Sequence, residues 1–215
     1  MLRRVSYGQT GQDVLADYIL RKYRKVPPTS DYKGVFVDVG CCFPIKASNT
    51  YFFYERGWRG ICIDANPAMA EGFRKHRPED KFVLAGVGSE ETTKPFYTFT
   101  NPQWNTFDVR RSIKMAKVFL GEIEVKIRRL EHILDELLES GQKIDFLSLD
   151  IEGLELPALE SLNLKKYRPS LITMEMICPI GKIHSQDASK YLIQNGYQLL
   201  SHTGHDASFL DVSTA

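Results

Sequence analysis

Four acidic residues close apolar runs in this chain. Asp38 ends "VFVD", Asp64 ends "ICID", Asp150 ends "FLSLD" and Glu175 ends "LITME". A carboxylate at the end of a buried run can accept hydrogen bonds from hydroxyls, take up a proton or ligate a hard cation. Gly40 follows Asp38 closely, then Cys41, Cys42, Phe43 and Pro44. Gly40 would let the backbone approach a ligand, and the two oxygens of Asp64 suit the vicinal hydroxyls of a ribose. A dinucleotide would need GxGxxG, so that a helix N-terminus can hold the pyrophosphate, and the turn after Asp38 lacks it. S-adenosylmethionine has no phosphate, and its methionine end carries an ammonium and a carboxylate. These residues therefore favour S-adenosylmethionine over NAD. The alternative is that Asp38 and Asp64 only cap helices.

Methyl transfer to oxygen needs alignment and removal of the hydroxyl proton. "LSLDIEGLE" supplies Asp150, then Glu152, with Gly153 permitting a tight turn, and Glu175 ends another run. Two routes stay open. Asp150 and Glu175 could share Mg²⁺, or Asp150 or Glu152 could accept the proton directly. One of these acids could instead cap a helix or pair with a buried arginine. Among the histidines, His184 in "PIGKIHSQD" is the candidate for touching substrate. His132 and His76 fit helix surfaces and ends, and His202 and His205 flank a final turn. "NPQWNTFD" sets Trp104 and Phe107 beside Asn105, Thr106 and Asp108, a mixture of aromatic faces and polar groups that suits sugar rings. Arg110, Arg111, Lys114 and Lys117 follow, either as a solvated basic face or as ligands for a phosphate or carboxylate on the acceptor.

The elements that must position these residues follow from periodicity. Apolar residues at helical spacing predict a helix over about 9–24, and the prolines of "KVPPTSDYKG" end it. "VFVDVG", "GICIDA", "KFVLAGVG", "IDFLSLD" and "SLITMEM" are predicted strands, too apolar for a one-sided sheet. Between them come a helix over 48–56 ending at Gly57, a helix from "NPAMAEGFRKHR" with Asn66 as N-cap and Pro67 at its first position, and "LEHILDELLESG" closed by Gly141. "KPFYTFT" and "EIEVKIRR" predict two further strands around a loop or irregular helix over 101–121. "SQDASKYLIQNG" predicts a late helix, and "YQLLSH" and "SFLDVS" a closing antiparallel pair. The expectation is one α/β domain over 1–215, a doubly wound, mostly parallel, Rossmann-like sheet with helices on both faces and an acceptor-side insertion over about 94–129. Ligands in such sheets bind beyond the carboxyl ends of the strands.

The chain has 215 residues, 43% hydrophobic and 26% charged, with formal net charge +1. That balance gives no global bias toward nucleic acid or membranes. No run approaches the roughly 18 apolar residues that a membrane span needs. "MLRRVSYGQTGQD" has two arginines but no apolar segment after them, so no signal peptide is expected, and a cytoplasmic location is. Cys41, Cys42, Cys62 and Cys178 show no zinc spacing and are too few for a disulfide framework, so reduced, mostly buried thiols are expected.

"SYGQTGQD", the stretch from "VFVDVGCCFP" to "ICIDANP", "NTFD" and "IDFLSLDIEGLELPALESLNLKKYRPSLITMEM" together resemble the FkbM family of S-adenosylmethionine-dependent methyltransferases, over about residues 6–200. The most specific pieces are Ser48-Asn49-Thr50, Gly57-Trp58-Arg59-Gly60 with Asp64 close behind, and Asp150-Ile151-Glu152-Gly153. The resemblance implies a class I methyltransferase fold and transfer to a hydroxyl of a sugar or polyketide-type compound. It implies that Asp38, Gly40 and Asp64 line the cofactor site, with Cys41 contributing backbone groups. Ala65 and Asn66 would flank ribose or adenine, and Gly86 to Ser89, Val87 among them, would lie near the adenine. Gln9, Asp13 and Asn49 match family motifs. Cys41 and Cys42 depart from the Ala, Asn, His or Gly usual at this turn. The leading expectation is O-methylation of a sugar, glycan or similar small molecule, with or without a phosphate. The alternatives are a polyketide, lipid or amine acceptor, or a cofactor-binding pseudoenzyme.

Overall fold

The computed structural model describes residues 5–27 and 32–213. Arg3, Arg4 and Pro28 lie outside the described residues. The chain opens with α1 (Gln12–Arg24), whose last turn carries Arg21, Lys22 and Arg24 and so complements the helix dipole. β1 (Val35–Val39), α2 (Tyr51–Tyr54), β2 (Arg59–Asp64), α3 (Ala70–His76) and β3 (Lys81–Leu84) follow. Then come β4 (Gly86–Val87), β5 (Thr92–Phe99), α4 (Val109–Lys114) and β6 (Phe119–Arg128). The last third comprises α5 (Leu130–Leu137), β7 (Phe146–Leu149), α6 (Glu155–Glu160), β8 (Leu171–Glu175), α7 (Asp187–Gln194), β9 (Tyr197–His202) and β10 (Asp206–Asp211).

Seven strands form one sheet in the order β3-β2-β1-β7-β8-β10-β9. β3 through β8 run parallel, and β10 is antiparallel to both β8 and β9. This is the doubly wound sheet with a closing antiparallel pair expected above. Alternate residues feed two cores, as period-2 geometry requires. Val37, Val39, Leu147 and Leu149 enter one, and Phe36, Cys62 and Phe146 enter the other. The strand order reverses between β1 and β7, which opens a crevice at their carboxyl ends.

A second sheet, β4-β6-β5, occupies residues 86–128. A small cluster of Ala65, Phe96 and Val125, with Phe107 and Ile123 packed on it, ties this sheet to the end of β2. The expected third strand "KFVLAGVG" is therefore two strands in two sheets. Ala85 marks the crossing, its amide donating to the Asp64 carbonyl at 3.0 Å. Gly86 has no room for a Cβ, which would stand 2.5 Å from Ile127 and 2.8 Å from Phe107. The helix expected over 48–56 shrinks to α2, because the Ser48 hydroxyl accepts from the Tyr51 amide at 3.1 Å and Ala47 takes a left-handed φ of 53°. Residues 101–121 are irregular as expected, with short 3-10 turns flanking α4. No helix among the described residues is long and apolar enough to cross a membrane.

Candidate active site

A cavity of about 310 Å³ lies at the carboxyl ends of β1, β2, β7 and β8. On its β1 side stands Asp38, buried, accepting from Thr50 Oγ1 at 2.6 Å. Thr50 Oγ1 in turn accepts from Arg77 at 3.0 Å. Arg77 is fully buried and paired with Asp80 at 2.7 Å, and Asp80 also takes the Gly60 amide at 2.9 Å. Burial raises the Asp38 carboxyl above its usual range, while Thr50 and Arg77 oppose the rise. Thus Ser48-Asn49-Thr50 is an anchoring motif. Ser48 and Thr50 meet Arg77, and Asn49 Nδ2 donates to Ser148 on β7 at 3.0 Å. Sequence reasoning missed Arg77, because "HRPED" has the composition of a solvated helix end.

Gly40 adopts φ 80°, and a Cβ there would stand 1.8 Å from the Asp150 carbonyl oxygen. Gly40 therefore packs β1 closely against the β7 end, and it also lines the cavity. The amides of Gly40 and Cys41 both donate to the Ile63 carbonyl, at 2.9 and 3.2 Å. These two amides are thus committed to the sheet, while Cys41 itself lines the cavity. Cys42, with a left-handed φ of 46°, turns its amide onto Asp64 Oδ2 at 2.8 Å. Asp64 Oδ1 takes the Asn66 amide at 2.7 Å. Each oxygen of Asp64 keeps a further lone pair for a ligand hydroxyl. Burial pushes the Asp64 carboxyl up to about 6 against the pull of those two amides.

All four cysteines are free. Burial holds the Cys41 thiol well above its ordinary pKa, and burial with Asp64 and Asp150 pushes Cys42 up to about 12. Both are thiols at neutral pH and so poor nucleophiles, which suits a wall facing an electrophile.

Asp150, Glu152 and Glu175 all line the cavity. The Asp150 amide donates to the Val39 carbonyl at 3.0 Å. Glu152 has a left-handed φ of 55° and pairs with Arg111 of α4. Glu155 accepts from the Ile151 and Gly153 amides at 3.2 and 3.1 Å and closes this turn. Burial, then Glu175 and Asp206, raise Asp150 well above the usual carboxylate range. Burial, then Glu152, Glu155 and Asp206, push Glu175 up to about 7. Among the described residues with left-handed φ that are not glycine, Cys42, Ala47 and Glu152 line the cavity, and strain of this kind clusters at functional sites. Among the described residues, no group of three or more His, Cys, Asp or Glu side chains is arranged to hold a metal ion. The Asp150–Glu175 pair expected as a Mg²⁺ site therefore gains no third acidic, His or Cys ligand.

Trp104, Asn105, Thr106 and Phe107 bound the cavity beside Phe96, and the Phe96 and Phe107 rings lie 4.7 Å apart. Asn105 is buried. Its Oδ1 accepts from the Phe99 amide at 2.9 Å, which fixes the amide orientation and leaves Nδ2 buried without a partner. Ala65, Gly86, Val87, Asn49 and Arg111 also line the cavity.

Four expectations need correction. Arg110 lies on the surface paired with Asp108 at 3.0 Å, because Asp108 caps α4 and draws it back. His184 sits exposed in a 3-10 turn over Ile180–Ser185, and His205 lines the cavity instead. Asn66 is committed to capping, accepting from Ala68 at 3.0 Å, and does not line the cavity. Gly88 and Ser89 do not line it either. Gln9 does, and Asp13 explains why. Asp13 is fully buried and takes the Tyr7 and Gly8 amides at 2.6 and 3.2 Å, folding the segment before α1 over the cavity. Asp206 escaped the sequence reading altogether. Its register partner is Glu175 across an antiparallel pair, which no local pattern reveals.

Residues 38–199 match the family model of the methyltransferase FkbM domain. The chain belongs to the FkbM methyltransferase family. The crystal structure of an FkbM methyltransferase from Methylobacillus flagellatus KT superposes with a TM-score of 0.51 at 14% identity. The match covers 89% of this chain and 47% of that one, so this chain spans about half the length of that relative. A precorrin-6y C5,15-methyltransferase from Geobacter metallireducens GS-15 superposes with a TM-score of 0.50 at 11% identity, covering 98% of this chain and 92% of that one. No curated protein matches the sequence. At such identities the likeness shows the fold, and the family match shows an FkbM methyltransferase domain over residues 38–199.

In this FkbM-family chain the lining of the cavity is chemically suited to S-adenosylmethionine. Asp64 has acceptor capacity left for a ribose, Ala65, Val87, Phe96 and Phe107 provide an apolar wall, and acids surround the crevice where positive charge would sit.

Proposed function

We propose that this FkbM methyltransferase methylates a hydroxyl of a sugar, glycan or similar polyhydroxylated small molecule. One observation carries the reading. Carboxyls with raised proton affinity, Asp150 and Glu175, line the same cavity as the Trp104–Asn105 wall. S-adenosylmethionine supplies the electrophilic methyl when bound. Asp64 would hold the ribose hydroxyls, and Phe96, Phe107 and Val87 would form the apolar wall for the adenine. Trp104 packs on the apolar face of a sugar ring, and Asn105 Nδ2 donates to one of its oxygens. Asp150 or Glu175 accepts the hydroxyl proton: burial and neighbouring acids make both carboxyls hold a proton more tightly than an ordinary carboxylate does, Glu175 at about 7, which suits a general base. Arg111 holds Glu152 and so leaves the base role to the other two acids. With Arg110 outside the cavity and Arg111 already paired, a phosphate on the acceptor forms no part of this proposal.

A second reading, an amine acceptor, rests on the excess of acid in the cavity, where Asp150, Glu152 and Glu175 face one arginine, Arg111. Incubation with methyl-labelled S-adenosylmethionine and panels of sugars and amines separates the two. Label in methyl ethers supports the proposal, and label only in methylamines replaces it with the second reading.

A further inference from the structure

Two segments each contribute a residue to the cavity lining, and both segments lack carboxylates. From Val109 to Gly121 the chain carries Arg110, Arg111, Lys114 and Lys117 and no acid, and from Met176 to Gln186 it carries Lys182 and His184 and no acid. The first reaches the cavity through Arg111 and the second through Ile177. Both also expose large apolar side chains. Ile113 is 73% exposed and Leu120 66%, while Ile177 is 66% and Ile180 75%. α4 and the 3-10 turn after it bury none of their residues, so this stretch has no core partner for its apolar side chains. Lys114 and Lys117 are exposed and make no ion pair among the described residues.

Aliphatic side chains left in water beside unpaired cations mark an interaction surface. The mixture fits an anionic bilayer. Short apolar side chains enter only the headgroup boundary, and flanking lysines meet lipid phosphates and carboxylates. The net charge of +1 hides this patch, because acids elsewhere offset it.

We propose that residues 109–120 and 177–182 form a docking surface for an anionic phospholipid bilayer, which seats the cavity mouth at the level of the headgroups. The inference stands apart from the identity of the acceptor. An acceptor delivered from the membrane would reach the Trp104 wall without crossing bulk water.

Sedimentation with vesicles, in the absence of cofactor and acceptor, tests it. The protein should pellet with phosphatidylcholine vesicles containing phosphatidylserine and stay in solution with phosphatidylcholine alone. Added salt should weaken the binding. Lys114→Gln with Lys117→Gln should weaken it roughly tenfold or more, since each lysine near such a surface contributes about 1 kcal/mol. Ile113→Asp with Leu120→Asp should abolish it while S-adenosylmethionine titration stays unchanged, which shows that the fold is intact. Absence of pelleting with the anionic vesicles, or equal pelleting by both double variants, overturns the proposal. So does a wild-type dimer in light scattering that Ile113→Asp with Leu120→Asp dissolves, because the patch would then be a contact between copies.

Discussion

Asp64 holds two backbone amides and keeps acceptor capacity on both oxygens, so it shapes the Cys42 turn and can still take a ribose. Asp64→Ala should lower S-adenosylmethionine affinity by roughly tenfold or more, since a charge-assisted hydrogen bond contributes about 1.5–3 kcal/mol. Calorimetric titration would check this. Unchanged affinity would move the ribose elsewhere. Glu175 makes a claim about pH. Its folded-state pKa of about 7 lies above the ordinary 4.5. A base must be unprotonated, so kcat/KM should climb as pH rises through about 7, and Glu175→Gln should flatten that limb. Stability runs the other way. The folded state binds this proton more tightly than the unfolded chain does. The stabilisation is complete below about 4.5 and is lost as pH rises through 7. Glu175→Gln should therefore melt above wild type at pH 8 and lose that advantage near pH 4 in thermal scans. Asp64 and Glu175 were legible in sequence because each ends an apolar run. Arg77 was not, since burial of this cation depends on Thr50 and Asp38 arriving from other elements as well as on Asp80 three residues along the chain.

At the scale of elements, the β1–β7 junction decides the geometry of the site. Gly40→Ala would set a Cβ against the Asp150 carbonyl at a φ of 80°. It should destabilise the protein by several kcal/mol, because overpacking and backbone strain add. A fall in Tm of many degrees is expected, and a shift of a degree or less would mean that the strands separate freely. The glycine was conspicuous in sequence, but its reason was not, because Asp150 lies far along the chain. The same limit explains the split of "KFVLAGVG". Its periodicity runs unbroken through Ala85, and only the pairing of Gly86 with Ile127 on β6 shows that the run changes sheets. Short-range signals did better where chemistry is local, as in the Asn66 cap with Pro67 behind it.

For the whole molecule, alternation of buried strands and helices was enough to expect the doubly wound sheet, and the strand order β3-β2-β1-β7-β8-β10-β9 agrees with it. The acceptor wall was harder, because three-strand pairing and irregular turns bring Trp104 and Asn105 to the cavity while α4 carries Arg110 away. The central claim is that this cavity joins a methyl donor to a hydroxyl through an acid at the β7 or β8 end. The most direct test is methyl transfer from labelled S-adenosylmethionine to a sugar panel by wild type and by Asp150→Asn with Glu175→Gln. The account expects methyl ethers from wild type, and from the double variant undiminished cofactor binding with product formation lost by about a hundredfold or more, the range of a general base. Equal rates of methyl-ether formation by the two proteins would contradict it.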